Sequence, residues 1–480
     1  MRVLYVTSEL YPFAKTGGLG DVSAALPPAL RAQGVDVRLF LPGLPAIRDG
    51  LRGLEPVASL GPAFGAGDVR VLRGSVPDTG VPAYVLDAPE LYQRPGSPYG
   101  DPAGRDWEDN PRRFGLFGWA AARFAEGDWR PDVLHAHDWH AGLAPAWLEA
   151  NGGERPASIF TIHNLAYAGQ VAAERYHELG LPDGFFQMDG LEFHGSASFL
   201  KAGLYYSDQL TTVSPTYARE IQQPEYGCGL HGLLQARRDR LHGILNGVDY
   251  SVWSPERDPH LHFNYHAGHL PPKRRNKVAM QEALGLKSAP GRPLFCAVSR
   301  LNHQKGLDLA LAALPDLIGA GAQFAVLGTG DTELESGFRA LAADHPGAVA
   351  AHIGYDEALS HRLIGAADVI LVPSRSEPCG LTQLYGLRYG TLPLVRRTGG
   401  LADTVVDTSV ETLAQRLATG FVFGPATTEA FLDAALHALQ CYRQPRRWAA
   451  VRQNAMRCDF SWARSAEAYR DLYERTRLHA

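Results

Sequence analysis

Neither sign of charge dominates this chain: 46 Lys and Arg against 51 Asp and Glu leave a formal net charge of -5 over 480 residues. No dense Lys/Arg tract interrupts that balance, so the basic footprint of a nucleic-acid partner is missing and none is expected. Long hydrophobic runs are missing too. The chain opens Met1-Arg2-Val3-Leu4-Tyr5-Val6 and then meets Thr7, Ser8 and Glu9, too short an apolar stretch for a signal peptide or a membrane span. A cytoplasmic protein with no membrane partner is the expectation. Cysteine is scarce and unpaired in spacing: Cys228, Cys296, Cys379, Cys441 and Cys458 form no C-x-x-C, and the odd count argues against a secreted disulfide framework. Reduced thiols are expected, and no zinc knuckle. The chain has no solenoid-period repeat, and the glycine-rich stretch from Lys15 to Asp21 after the first strand is neither G-x-G-x-x-G nor G-x-x-x-x-G-K-[ST], which weighs against nicotinamide chemistry there.

What is present is ordinary globular composition, 45% hydrophobic and 20% charged, in a chain longer than one core usually organises. Short β-rich runs at residues 3–7, 37–41, 83–86, 133–135, 159–162 and 210–213 alternate with helix-period segments such as 22–32 and 111–125. That alternation predicts parallel α/β layering. After Asn246-Gly247-Val248-Asp249 the same pattern restarts, with strands at 294–298, 324–327, 369–372 and 392–395. Residues 253–270 have no clean period and read as a linker, and 273–284 returns to helix-forming composition. Phe431, Leu432, Ala435, Leu436 and Leu439 form one helical stripe, and 462–473 a second helix able to cross back onto the first domain. The expected domains are 1–245, 246–457 and a terminal helix within 458–480.

Lys15-Thr16-Gly17-Gly18-Leu19-Gly20-Asp21 stands between the first strand and a helix-forming run. Glycines there let backbone N–H groups approach a phosphate, and Lys15 adds a full charge. A tight turn with a surface lysine is the plain alternative. Arg397-Thr398-Gly399-Gly400-Leu401-Ala402-Asp403 echoes the motif and reads as repeated chemistry, with repeated turn geometry alone as the alternative. Arg300 and Lys305-Gly306 place two cations at the end of a strand, where open α/β sheets bind ligands. Downstream, Pro373-Ser374-Arg375-Ser376-Glu377-Pro378-Cys379-Gly380-Leu381-Thr382 sets a carboxylate before a helix expected to begin near Gly380, whose N–H groups would face the same phosphates. His135-Ala136-His137-Asp138-Trp139-His140 superficially suggests a metallohydrolase ligand set, but its spacing is wrong for one. Alternation along a strand puts His135 and His137 on one face, suited to core hydrogen bonding or site lining by neutral imidazoles.

Six segments, in order over residues 1 to about 475, resemble the bacterial glycogen synthase and plant starch synthase family. They are Lys15-Thr16-Gly17-Gly18-Leu19, His135-Ala136-His137-Asp138-Trp139-His140, Thr161-Ile162-His163-Asn164, Asn246-Gly247-Val248-Asp249, Gln304-Lys305-Gly306 and Glu377-Pro378-Cys379-Gly380-Leu381. The resemblance implies a GT-B fold, two Rossmann-like domains facing each other across a cleft. It implies transfer of glucose from ADP-glucose to the non-reducing end of an α-1,4-glucan, with no cofactor and no metal. Carried over by position, Lys15, Arg300 and Lys305 would hold the diphosphate, with Gly18 in the first loop and Cys379, Gly380, Leu381 and Thr382 at the second. Glu377 would bond glucose hydroxyls, Asp138 and His163 would flank the reacting sugar, Tyr355 would lie against the base, and Asn246 would act at the hinge side. Many related retaining transferases carry a second glutamate eight positions after the first; Tyr385 stands there, as is common in this family. His231 occupies a loop position where the family more often has an acid.

A double displacement would need a carboxylate poised beneath the anomeric carbon, as retaining glycosidases have; the resemblance implies front-side attack instead, with the leaving diphosphate taking the acceptor's proton. Alternatives left open are another GT-B transferase using UDP-glucose or a small sugar acceptor, a silent glucan-binding protein on the same fold, and an oxidoreductase.

Overall fold

The computed structural model describes residues 1–289 and 291–478. The chain divides into two compact units, Met1–Gly247 joined by the segment from Trp462 onward, and Val248–Ser461.

In the first unit, β1 (Arg2–Val6), β2 (Asp36–Pro42), β3 (Arg52–Ala63), β4 (Ala66–Ser75), β5 (Pro82–Asp87), β6 (Val133–His137) and β7 (Ala157–Ile162) share one sheet with two later strands. Between them a small sheet forms from β8 (Gln170–Ala172), β9 (Glu192–Phe193) and β10 (Ser196–Ser198), followed by β11 (Gln209–Thr212) and β12 (Leu241–Gly243). The main sheet runs β12-β11-β7-β6-β1-β2-β5-β4-β3. All its neighbours pair in parallel except the β3–β4 hairpin and its attachment to β5. The central strands are buried along their whole length because helices cover both faces. The helix Trp462–Arg477 buries Trp462, Ala466, Tyr469, Leu472 and Tyr473 in this unit, against the helix Gly18–Ala32.

The second unit holds β13 (Leu294–Val298), β14 (Gln323–Gly328), β15 (Val349–Ile353), β16 (Val369–Val372), β17 (Leu392–Arg396) and β18 (Phe421–Phe423), all parallel, in the order β15-β14-β13-β16-β17-β18. Each sheet has one place where successive strands depart in opposite directions, between β1 and β6 in the first and between β13 and β16 in the second. Open α/β sheets bind ligands beyond the carboxyl ends of the strands at such points, which marks where each unit's site belongs.

The main strands lie where the sequence pattern expects them, within a residue or two at each end. The hairpin β3–β4 was not expected. Pro56, Gly61 and exposed charges break its period, and four register shifts bend it, so no clean alternation marks it. The five cysteines are free.

Candidate functional site

In the first unit, the loops leaving β1, β6 and β7 bring Lys15, Asp138 and His163 to the carboxyl end of the sheet. Lys15 is exposed and its Nζ lies 2.8 Å from Asp21 Oδ1, in the first turn of the helix that opens at Gly18. The loop is held from beneath by Glu9, which is 2% exposed. Glu9 accepts hydrogen bonds from Thr16 N at 3.0 Å, Thr16 Oγ1 at 2.5 Å and Tyr99 OH at 2.6 Å.

Asp138 is buried and sits at φ 59°, a left-handed conformation that a non-glycine residue adopts at a cost of about 1–3 kcal/mol. Burial, reinforced by the charge of Glu9, pushes its carboxyl up to about 7, although N–H groups of His163, Asn164 and Trp139 donate to it. Its Oδ1 has no hydrogen-bond partner. His163 Nε2 lies 3.0 Å from His137 Nδ1, and burial lowers the His163 imidazole to about 3, so it is neutral at physiological pH. His135 is spent on the core: Nδ1 meets Tyr473 OH at 2.7 Å and Nε2 meets Thr161 Oγ1 at 2.6 Å. Among the described residues no group of three or more His, Cys, Asp or Glu is arranged to hold a metal ion. Asn246, just past β12, is buried with Oδ1 unpartnered.

In the second unit, Lys305 and Glu377 arrive from the ends of β13 and β16 and meet: Lys305 Nζ to Glu377 Oε2 is 2.6 Å. Ser374 Oγ donates to the same oxygen at 2.9 Å. The two loops are laced together. Arg375 N donates to Gln304 O, Gln304 Nε2 donates to Ser376 O, and the Arg375 guanidinium clamps Asp308 at 2.7 Å through both nitrogens. Gly306 makes the approach possible: it sits at φ 67°, and a Cβ there would lie 2.1 Å from Pro373 O. Arg300 lies exposed two residues past β13, rather than ending the strand.

The helix after Glu377 begins at Thr382 and not at Gly380, because Gly380 is at φ 73° and Leu381 caps the helix. Cys379 is buried, with its carbonyl taken by Gln383 Nε2 at 2.9 Å. The Gly399-Gly400 echo lies directly behind this loop, where a Cβ on Gly399 would stand 1.9 Å from Glu377 O. Its glycines let two backbones touch, so the echo serves turn geometry under Glu377. Tyr355 is 77% exposed beyond β15, two strands along from β13, with its hydroxyl donating to Glu357.

The predicted residues therefore fall into two groups, one per unit. Glu9, Tyr99, His137 and Ser374 join them. The signal for Glu9 was its place just after the first strand; nothing local pointed to Tyr99.

Residues 2–236 match the starch synthase catalytic domain family and residues 285–454 match the glycosyl transferases group 1 family. Among solved structures, the catalytic domain of starch synthase IV from Arabidopsis thaliana, bound to ADP and acarbose, is 32% identical with a TM-score of 0.89, covering 99% of both chains. Sucrose-phosphate synthase from Thermosynechococcus elongatus aligns over 100% of both chains with a TM-score of 0.61 at 18% identity, a likeness of fold alone. Fold and family matches together define a glycosyltransferase of the GT-B class. Glycogen synthases from Paramagnetospirillum magneticum and Serratia proteamaculans are 52% and 54% identical, over 99% of this chain and 97% and 100% of theirs. The chain belongs to the glycogen and starch synthase family.

Proposed function

We propose that the glucosyl donor is ADP-glucose, that the acceptor is the non-reducing end of an α-1,4-glucan, and that configuration is retained without a metal ion. The observation that carries this reading is the Lys305–Glu377 pair at the carboxyl ends of β13 and β16. One site there offers a cation for a diphosphate and a buried carboxylate for sugar hydroxyls. The ADP bound to the Arabidopsis relative supports adenine as the base.

In the reaction, the bond between the glucose anomeric carbon and the diphosphate oxygen breaks while a bond to the acceptor's 4-oxygen forms on the same face. The acceptor proton passes to the departing diphosphate. Arg300, Lys305, Lys15 and the N-terminus of the helix Thr382–Tyr389 stabilise the charge that grows on that leaving group. Glu377 orients the glucose hydroxyls beside Cys379, Gly380 and Leu381. Asp138 and His163 flank the reacting sugar, and Asn246 contributes from the end of the first unit. The neutral imidazole of His163 donates or accepts a hydrogen bond without adding charge beside the oxocarbenium-like carbon. Tyr355 lies against the base. The absence of any helix long and apolar enough to cross a membrane among the described residues is compatible with a cytoplasmic site of action.

Purified protein incubated with glycogen and either ADP-glucose or UDP-glucose, with nucleotide release measured, tests the donor. A kcat/KM for UDP-glucose equal to or above that for ADP-glucose overturns the reading. Activity is expected to survive exhaustive chelation; loss on EDTA with rescue by Mg²⁺ or Zn²⁺ overturns the metal-free mechanism.

A further inference from the structure

A stack of three rings lies in the second unit. Trp253 is sandwiched between His361, at 3.7 Å with 12° between planes, and Tyr385, at 3.8 Å and 5°. The imidazole edge is fixed as firmly as its faces. His361 Nδ1 lies 2.8 Å from Asp258 Oδ2, and Tyr389 OH donates to that same oxygen at 2.6 Å. Asp258 Oδ1 accepts from His260 N at 2.9 Å. With Nδ1 engaged, Nε2 faces Glu357 Oε1 at 3.8 Å, one turn back on the same helix, Glu357–Ala366. The other oxygen of Glu357 accepts from the hydroxyl of Tyr355.

This chain of contacts runs from a buried acid to an exposed ring. The side chains of Asp258 and His361 are 0% and 2% exposed, whereas Tyr355 is 77% exposed. Burial opposes charge on His361, but its hydrogen bond to Asp258 and the nearby carboxylate of Glu357 outweigh that and hold it above the usual histidine range. Asp258 is likewise kept below the usual carboxylate range, against its burial, by His361, Tyr389 and His260 N. The His260 ring lies 4.7 Å from that of His361, and the nearby cations Lys273 and Arg388 are engaged elsewhere. Lys273 gives its ammonium to Gly365 O and Thr391 Oγ1, and Arg388 contacts Ser254 and Glu256. Filling this space needs no ion pair, since an apolar side chain of similar volume is commonly as stabilising as a buried Asp–His pair. The polar chain therefore has another use, and it ends on Tyr355.

We propose that His361 is a positioning residue for the nucleotide: it fixes Glu357, and Glu357 holds the Tyr355 ring in the orientation on which the base stacks. This rests on the reading that Tyr355 lies against the base. An exposed, untethered tyrosine samples several rotamers, and binding must then supply the entropy of fixing it. The tether removes that loss before the donor arrives. Tyr385 carries the same constraint to the helix Thr382–Tyr389 that follows the Glu377 loop.

Four variants separate the two readings: Tyr355→Ala, Tyr355→Phe, His361→Asn and the Tyr355→Phe/His361→Asn double variant. Each is measured by calorimetry with ADP and by initial rates against donor and glucan. Unchanged ADP affinity in Tyr355→Ala removes the base reading and the proposal with it. With affinity lost there, Tyr355→Phe and His361→Asn are each expected to raise the ADP Kd and the donor KM about three- to tenfold, with kcat and the glucan KM moved less than about twofold. The double variant is expected to be no worse than the stronger single, because both changes cut one tether. Wild-type ADP affinity in Tyr355→Phe, or losses that add in the double variant, overturns the tether. Tyr355→Phe changes only a surface hydroxyl, so wild-type ADP affinity in it overturns the tether even if His361→Asn fails to fold, and His361→Gln, closer in size, then carries the test of His361.

Discussion

Lys305 Nζ and Glu377 Oε2 stand 2.6 Å apart, the cation partly open and the carboxylate side chain 8% exposed. The sequence presents these as two separate functions, one for a diphosphate and one for a sugar. In the folded unit each holds the other at the place where its ligand group is expected. Removing either leaves the other without its partner, so the pair behaves as one device.

Lys305→Ala is therefore expected to lower kcat by about 10²- to 10³-fold, as the loss of one preorganised contact to a developing charge does. Glucan binding should be nearly unchanged. The Lys305→Ala/Glu377→Gln double variant should lose much less than the product of the single losses. A kcat for Lys305→Ala within about threefold of wild type would mean that Lys305 does not serve the leaving group.

Glu377→Gln keeps shape and removes charge, so kcat should fall strongly while ADP still binds with near-normal affinity. Donor and azide supplied to this variant distinguish its roles. No rescue is expected. Turnover recovered with a β-glucosyl azide product would make Glu377 a nucleophile and end the front-side reading.

Burial, more than any other cause, pushes the Asp138 carboxyl from the usual carboxylate range up to about 7. A carboxyl raised by folding binds its proton more tightly in the native state, so its contribution is fully present below about pH 4 and is lost as pH rises through about 7. Asp138→Asn, neutral at every pH, should consequently gain Tm relative to wild type between pH 4 and 8. Thermal unfolding of both proteins across that range is the measurement; a Tm difference that stays flat with pH contradicts the burial argument.

Gly306→Ala forces a side chain into a position at φ 67° whose Cβ site lies 2.1 Å from Pro373 O. The loops of Lys305 and Glu377 must separate to admit it. Expected are a destabilisation of about 1–3 kcal/mol and a fall in kcat exceeding any change in the glucan KM. Wild-type kcat with unchanged Tm would show that the close approach of the two loops is dispensable.

The fold was legible where burial leaves a local mark. Strands covered on both faces read as unbroken apolar runs, so 294–298 and 369–372 coincide with β13 and β16 to the residue. The edge hairpin β3–β4 left no such mark, because its exposed faces tolerate Pro, Gly and charge. The half-exposed β15 escaped for the same reason, whereas the buried β18 escaped because three residues are too few to show a period. Within the candidate site, Lys15, Lys305 and Glu377 were named from motifs, whereas Glu9 was not. Its role depends on Tyr99, 90 residues away, and on the conformation of a loop that no periodicity describes.

By itself the sequence determined the alternation of strand and helix, the two-unit organisation of an α/β chain and the order of the charged motifs, because these depend on local periodicity and on residue type. Only the tertiary structure decided which motifs meet. Parallel strands buried on both faces are nearly alike in pattern, so nothing local says that Val3 pairs with Val133 or Phe295 with Val369. That choice is made by helices packing across the sheet over long separations. It sets the points where strand order reverses, and so it brings Lys305 to Glu377, sets His163 against His137, and turns Gly399-Gly400 from an apparent second phosphate loop into the floor beneath Glu377.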